Sequence, residues 1–142
     1  MFFLSAALIG IFAAIPAIMW ARHLRPLALA KYSGWGLIAV AAIYLLAAFE
    51  RADGFWKLLE LVGLLAFGSC YWLAKKRPLW ALAWGWSLHS TWDIFLHYLG
   101  PGNYILPPWY SVACAIFNIA IAVYLFWRDY QQRHPPPVIR LW

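Results

Sequence analysis

The sequence predicts an all-α polytopic membrane protein, a five-transmembrane-helix bundle with its amino terminus outside and its carboxyl terminus in the cytoplasm. Three observations predict it. Of 142 residues, 65% are hydrophobic and only 11% are charged, and the mean hydropathy is +0.68, too apolar for a soluble domain that must keep a wettable surface. The apolar sequence falls into five runs separated by short basic or Gly/Pro-rich connectors. Eleven Trp and eight Tyr suit a chain whose amphipathic rings sit at headgroup level. The formal charge of +6 lies in blocks between the runs, which marks topology and not a nucleic-acid face.

The first span covers residues 2–20, where Pro16 is a kink that neighbouring helices re-satisfy. No basic region precedes its apolar core, which argues against a cleaved signal peptide. Arg22, His23, Arg25 and Lys31 form a basic connector in which Pro26 discourages an unbroken helix. The second span covers 33–49. Glu50, Arg51, Asp53, Gly54 and Lys57 make a tight, charge-balanced turn into the third span, 55–74. Lys75, Lys76 and Arg77 close that span, and Pro78 opens the fourth, 79–99, at a favoured first-turn position. The Gly-Pro-Gly turn and Pro-Pro pair of LGPGNYILPPW then form an interfacial loop. The fifth span covers 109–127, and 128–142 is a cytoplasmic tail whose Pro135 to Pro137 run favours polyproline II. The whole chain, 1–142, reads as a single membrane domain without internal repeats. With the amino terminus outside, Arg22, Arg25, Lys31, Lys75, Lys76, Arg77, Arg128, Arg133 and Arg140 are cytoplasmic and only Arg51 and Lys57 are external. That is the positive-inside pattern.

The chemistry concentrates in the fourth span. His89, Asp93 and His97 stand four residues apart on a row that runs back through Gly85 to Ala81. Ionisable groups in hydrocarbon are costly and mark function by default. At about 1.5 Å of rise per residue, Asp93 and Cys114 fall about 9 Å from the outer ends of their spans, His89 and Asn118 about 15 Å, and Glu60 about 8 Å. A polar layer in the outer half follows, above small residues that let helices approach closely. His97 is expected near the outer surface, reaching water, and Glu60 within reach of Lys57.

The catalytic candidates are therefore His89, Asp93 and Glu60. A histidine beside a carboxylate delivers and removes protons, with Glu60 as second acid or base. The substrate-binding candidates are Asn118 to orient an oxygen, Trp86 and Trp92 as an aromatic wall able to stabilise positive charge, His97 at the pocket mouth, and Cys114. Asn118 equally reads as interhelical glue, and Cys70 and Cys114 as buried thiols. No metal site is assigned: the cysteines lie in separate runs, and His89 and His97 are about 12 Å apart along the axis. A metal-dependent lipid hydrolase using Asp93, one His and Glu60 is a variant with an incomplete ligand set.

LHSTWDIFLHY followed by PPWYSVACAIFN resembles a family of small bacterial integral membrane proteins of unknown function, with an LHxxWD…H helix and a W-Y-x-x-x-C-A-x-[YF]-[DN] helix. His89, Trp92, Asp93, His97, Trp109, Tyr110, Cys114 and Asn118 carry the likeness. The resemblance implies that these positions belong together; it brings no reaction. The expected function is an acid/base enzyme of the isomerase or cyclase type acting on a lipophilic isoprenoid or lipid substrate in the bacterial inner membrane. In kind this resembles the five-span sterol isomerases, whose motifs are not found in this sequence. The alternative is a non-enzymatic binding or carrier protein, or an assembly subunit, using the same polar layer, with a homo-oligomer completing any pathway. A membrane lipid or lipophilic small molecule is the expected partner, nucleic acid is not, and no cofactor is legible. The readings separate on one point: an enzyme needs His89 and Asp93 turned inward, not toward lipid.

Overall fold

The computed structural model describes residues 2–75 and 79–135. The expectations placed on Lys76, Arg77, Pro78, Arg140 and the later prolines fall outside the described residues. The chain forms α1 (Phe2–Ala21), α2 (Pro26–Arg51), α3 (Gly54–Ala74), α4 (Trp80–Trp92) and α5 (Pro108–Arg133). A π-helical turn, Asp93–Tyr98, continues α4 directly. Four helices, α1, α2, α3 and α5, are long and apolar enough to cross a membrane. The fourth of the expected spans reaches similar length only as α4 plus the π-helical turn.

The local chemistry of each boundary explains where the elements start and stop. Pro26 opens α2 in its first turn, where the missing N–H costs nothing and the fixed φ suits a helix. The connector expected over residues 22–31 is therefore only residues 22–25. Asp53 precedes α3 and its Oδ1 accepts from the Trp56 N–H at 3.2 Å, a side-chain cap. Pro108 opens α5, which runs to Arg133, so residues 128–133 are helix and not tail. Within that extension Asp129 is 5% exposed. It accepts from the Trp80 N–H at 3.2 Å, which satisfies the first turn of α4, and pairs with Arg133 at 2.8 Å.

α5 is the central element. It packs on α1 along one flank and on α4 and the π-helical turn along the other, while α3 packs on α4 and α2 packs on α3. The most apolar window of α5 is 56% buried, against 17% for α1. α1 is thus apolar all round with most of its surface unpartnered, including Leu4, Phe12 and Met19. Such a surface is stable in lipid and a liability in water. Close approach is set by small residues, as the sequence anticipates: a Cβ on Gly85 would meet Leu37 Cδ2 at 2.7 Å and Cys70 Cβ at 3.0 Å, and Ala81 is buried.

Two clamps fix the ends. At the end carrying the 99–107 loop, called upper below, Gly102 N donates to Leu96 O at 3.0 Å and Arg51 Nη1 donates to Ile105 O at 3.4 Å. Ile105 is fully buried against Ala48 and Trp56. At the lower end Arg128 donates to Arg22 O at 3.4 Å, Leu24 O at 3.2 Å and the Tyr124 hydroxyl at 2.9 Å. The α1–α2 connector is thereby tied to α5.

Gly85 and Gly68 give a test of this packing. Gly85→Val is expected to destabilise by about 1–3 kcal/mol or more by overpacking. Gly68→Ala, where an added Cβ meets nothing within 4 Å, is expected to be neutral. Thermal unfolding in detergent reads both.

Candidate functional site

The polar residues of α4 and α5 meet in the interior. Asn118 on α5 is fully buried, and its amide nitrogen lies 2.8 Å from Asp93 Oδ2, 3.0 Å from His89 Nδ1 and 3.6 Å from Cys114 Sγ. His89 Nδ1 also lies 3.3 Å from Asp93 Oδ1. If the Asn118 amide donates to Nδ1, His89 carries its ring proton on Nε2, since a neutral imidazole nitrogen either donates or accepts. Four-residue spacing on each helix stacks Asp93 over His89 and Cys114 over Asn118, so facing rows create the cluster.

A second pair sits beside the first. His97 is 0% exposed, its Nε2 lies 2.9 Å from Glu60 Oε1, and its Nδ1 lies 3.4 Å from Gly102 O. Glu60 Oε2 accepts from Trp92 Nε1 at 3.4 Å. The expected placements of His97 at a wet mouth and of Glu60 beside Lys57 are therefore corrected. The physical reason is the π-helical turn with its loop. Leu99 N donates to Ile94 O at 2.8 Å, an i to i−5 bond, and this wider turn swings His97 off the row of Asp93 toward α3. The loop then covers it. A Cβ on Gly102 would strike the Trp56 ring at 2.9 Å, so only glycine lets this lid close.

Tyr44 of α2 joins the two pairs. Its ring centroid is 4.3 Å from His97 and 5.7 Å from His89, and its hydroxyl faces Asp93 and Ser111. Phe67 closes the other side, 4.7 Å from His89. Sequence reasoning passed over Tyr44 and Ser111; a lone polar tip inside the apolar run IYLL was the available signal for Tyr44. Among the described residues, the Tyr44 hydroxyl, Asp93 Oδ1, Ser111 Oγ, Asn118 Oδ1, Glu60 Oε1 and His97 Nε2 are buried without an aligned hydrogen-bond partner. For Glu60 and His97 the 2.9 Å approach is an ion-pair distance with poor hydrogen-bond alignment.

The two tryptophans of the expected aromatic wall have different fates. Trp92 lies against Glu60, Gly63 and Phe67. Trp86 is remote from the polar pairs; its Nε1 donates to Ser33 Oγ at 2.9 Å. It lines the lower part of an apolar groove between α1 and α2, of about 160 Å³, with Ala17, Tyr32 and Phe117. A second part, of about 230 Å³, lies above it, lined by Gly10, Ala13, Val40, Tyr110, Cys114 and Phe117. Phe117 borders both. His89 and Asp93 line neither part of this groove and are buried in the bundle interior, not turned to lipid. Cys114 lines the upper part and its Sγ lies 3.6 Å from the Asn118 amide nitrogen.

His89, Asp93 and Cys114 also present ligand atoms that all lie within 4.8 Å of one another. The sequence assigned no metal because Cys114 lay in a distant run; the fold supplies it.

Residues 5–131 match the model of a family of unknown function, DUF6010. The chain belongs to that family. No curated protein and no solved structure matches it.

Removal of one member of the second pair measures its weight. Glu60→Ala leaves His97 buried and unpaired and is expected to cost about 3 kcal/mol or more, against about 0.6 for an average interhelical hydrogen bond in a membrane. Unfolding of the detergent-solubilised protein by increasing SDS checks it.

Proposed function

We propose that this protein is a five-span protein of the bacterial inner membrane, amino terminus outside. In this reading its polar layer performs acid/base chemistry of the isomerase or cyclase type on a lipophilic isoprenoid or lipid. The molecule enters sideways between α1 and α2. The observation that carries the reading is the double position of Cys114, which lines the groove on one side and approaches Asn118 at 3.6 Å on the other. A hydrocarbon chain laid along Ala17, Phe117 and Val40 brings its upper end to that thiol. Rotation of one small side chain then opens the way to His89 and Asp93.

The groove suits such a guest. Its lining is apolar almost throughout, and α1 makes its main contacts with α5 and not with α2, so the opening faces the lipid. The two histidine–carboxyl pairs supply what an isomerisation needs, one site to give a proton and one to take it. Tyr44 stands between them and Asn118 beside the first to orient a polar head. The aromatic rings of Phe67 and Trp92 flank the layer and favour a developing positive charge.

A non-enzymatic binding or assembly role is the second reading, favoured by the closure of the layer: His89 and Asp93 are 1% and 0% exposed. The lipids retained by His89→Ala separate the two. An enzyme accumulates unconverted substrate in place of product, whereas a binding protein retains the same species as the wild type.

Ala13→Trp fills the upper groove from the lipid side without touching the polar layer. Native mass spectrometry of the detergent-purified protein is expected to show a lipophilic molecule on the wild type and on Phe12→Trp, and its loss from Ala13→Trp. Equal retention by Ala13→Trp contradicts entry by this groove.

A further inference from the structure

We infer that His89, Asp93 and Cys114 form a binding site for one divalent metal ion of borderline softness, zinc being the ion that the donor set fits. The inference stands whether or not the groove takes a lipid. An imidazole nitrogen, a carboxylate oxygen and a thiolate are the three zinc ligand types, and three protein ligands with one open position is the pattern of reactive zinc sites. The three groups come from two facing helices, His89 and Asp93 one turn apart on the α4 side and Cys114 on α5. Their ligand atoms lie within 4.8 Å of one another, near enough for a small side-chain adjustment to close them on an ion. Glu60, the carboxylate that the sequence placed in such a set, is committed to His97 and Trp92.

The hydrogen-bond balance points the same way. The Asn118 amide nitrogen sits 2.8, 3.0 and 3.6 Å from the three ligand groups, the position a cation would take. An amide carries two N–H hydrogens, so at least one of the three acceptors is left over. Among the described residues Asp93 Oδ1, Asn118 Oδ1, the Tyr44 hydroxyl and Ser111 Oγ, each in a fully buried residue, also lack an aligned hydrogen bond, although Asp93 Oδ1 lies 3.3 Å from His89 Nδ1. An ion at that point displaces the amide, and Asn118 Oδ1, itself without an aligned hydrogen bond, then lies beside the position left open by the three ligands. Charge closes as well. A dication with one carboxylate, one thiolate and one neutral imidazole sums to zero, which removes the cost of an ionised carboxylate in an apolar bundle. With the ion bound, His89 and Asp93 are ligands and proton transfer falls to the Glu60–His97 pair alone, so the two-pair scheme applies to the metal-free protein.

The test uses the full chain in detergent, stripped with chelator and titrated with Zn²⁺ and Co²⁺. The wild type and Cys70→Ala are expected to take up about one ion per chain. Cys114→Ala and Asp93→Ala are expected to weaken binding by more than the roughly 10- to 100-fold that loss of an outer partner costs. The Co²⁺ form is expected to show thiolate-to-metal charge-transfer absorption that Cys114→Ala abolishes. Asn118→Asp guards against misreading a folding defect: without an ion it loses the amide donor and sets two carboxylates together, so it is destabilised, and Zn²⁺ is expected to raise its thermal midpoint by more than it raises that of the wild type. A network held by hydrogen bonds alone would instead be destabilised equally with and without Zn²⁺. That last result, saturable uptake that survives Cys114→Ala unchanged, or no uptake by the wild type, overturns the site.

Discussion

The contact on which the layer depends is the approach of the Asn118 amide to His89, Asp93 and Cys114. Groups removed from water in an apolar bundle satisfy one another or cost several kcal/mol each. Here one donor group from α5 serves acceptors from α4 and from its own preceding turn. Helix position follows from it: α4 and α5 must face each other along His89–Asp93 and Cys114–Asn118, and Ser90 adds a bond of 3.0 Å to the Ala115 carbonyl at the same seam. The small residues Ala81, Ala83 and Ala122 below are buried and let the seam continue toward the lower end. Removing the polar contact would leave these helices with dispersion alone to set their rotation.

The π-helical turn divides what an unbroken α-helix would keep together. In a regular helix His97 would follow Asp93 on one face; the wider turn sends it to Glu60 on α3 instead. Two histidine–carboxyl pairs result, with the Tyr44 ring between them. The loop that follows does two jobs. It returns N–H groups to the last carbonyls of the turn, and it lays Gly102 against Trp56 and His97 to seal the upper end. The apolar groove between α1 and α2 carries Cys114 in its wall, and a second surface pocket reaches Phe67 and Trp92 on the α3–α4 side of the pairs.

Much of the site was legible because helical rise is fixed. Counting residues inward placed Asp93 level with Cys114 and His89 level with Asn118 before any packing was known, and these four are the residues that meet. The all-helical class and the close seam at Gly85 were legible from composition and from small-residue spacing. Pro26 misled because a proline disfavours a helix interior and yet suits the first turn, and the sequence around it permits either. The π-helical turn has no periodic signature, so His97 was put at the mouth and Glu60 beside Lys57. Tyr44 and Ser111 were hidden in apolar runs of other helices, where only tertiary proximity gives them meaning. Cys114 read both as a substrate-binding candidate level with Asp93 and as a small buried thiol; its place in the wall of the groove came from the packing of α1 on α5.

If the layer acts as one unit, its members are energetically coupled and not merely adjacent. A double-mutant cycle of His89→Ala and Asn118→Ala, read by unfolding in detergent, measures this directly. Coupling of about 1.5 kcal/mol or more, well above the mean of about 0.6 for hydrogen-bonded helix pairs in membranes, is the expected result. Additivity within about 0.5 kcal/mol would show that the two residues are independent, and would contradict a site built on the Asn118 amide.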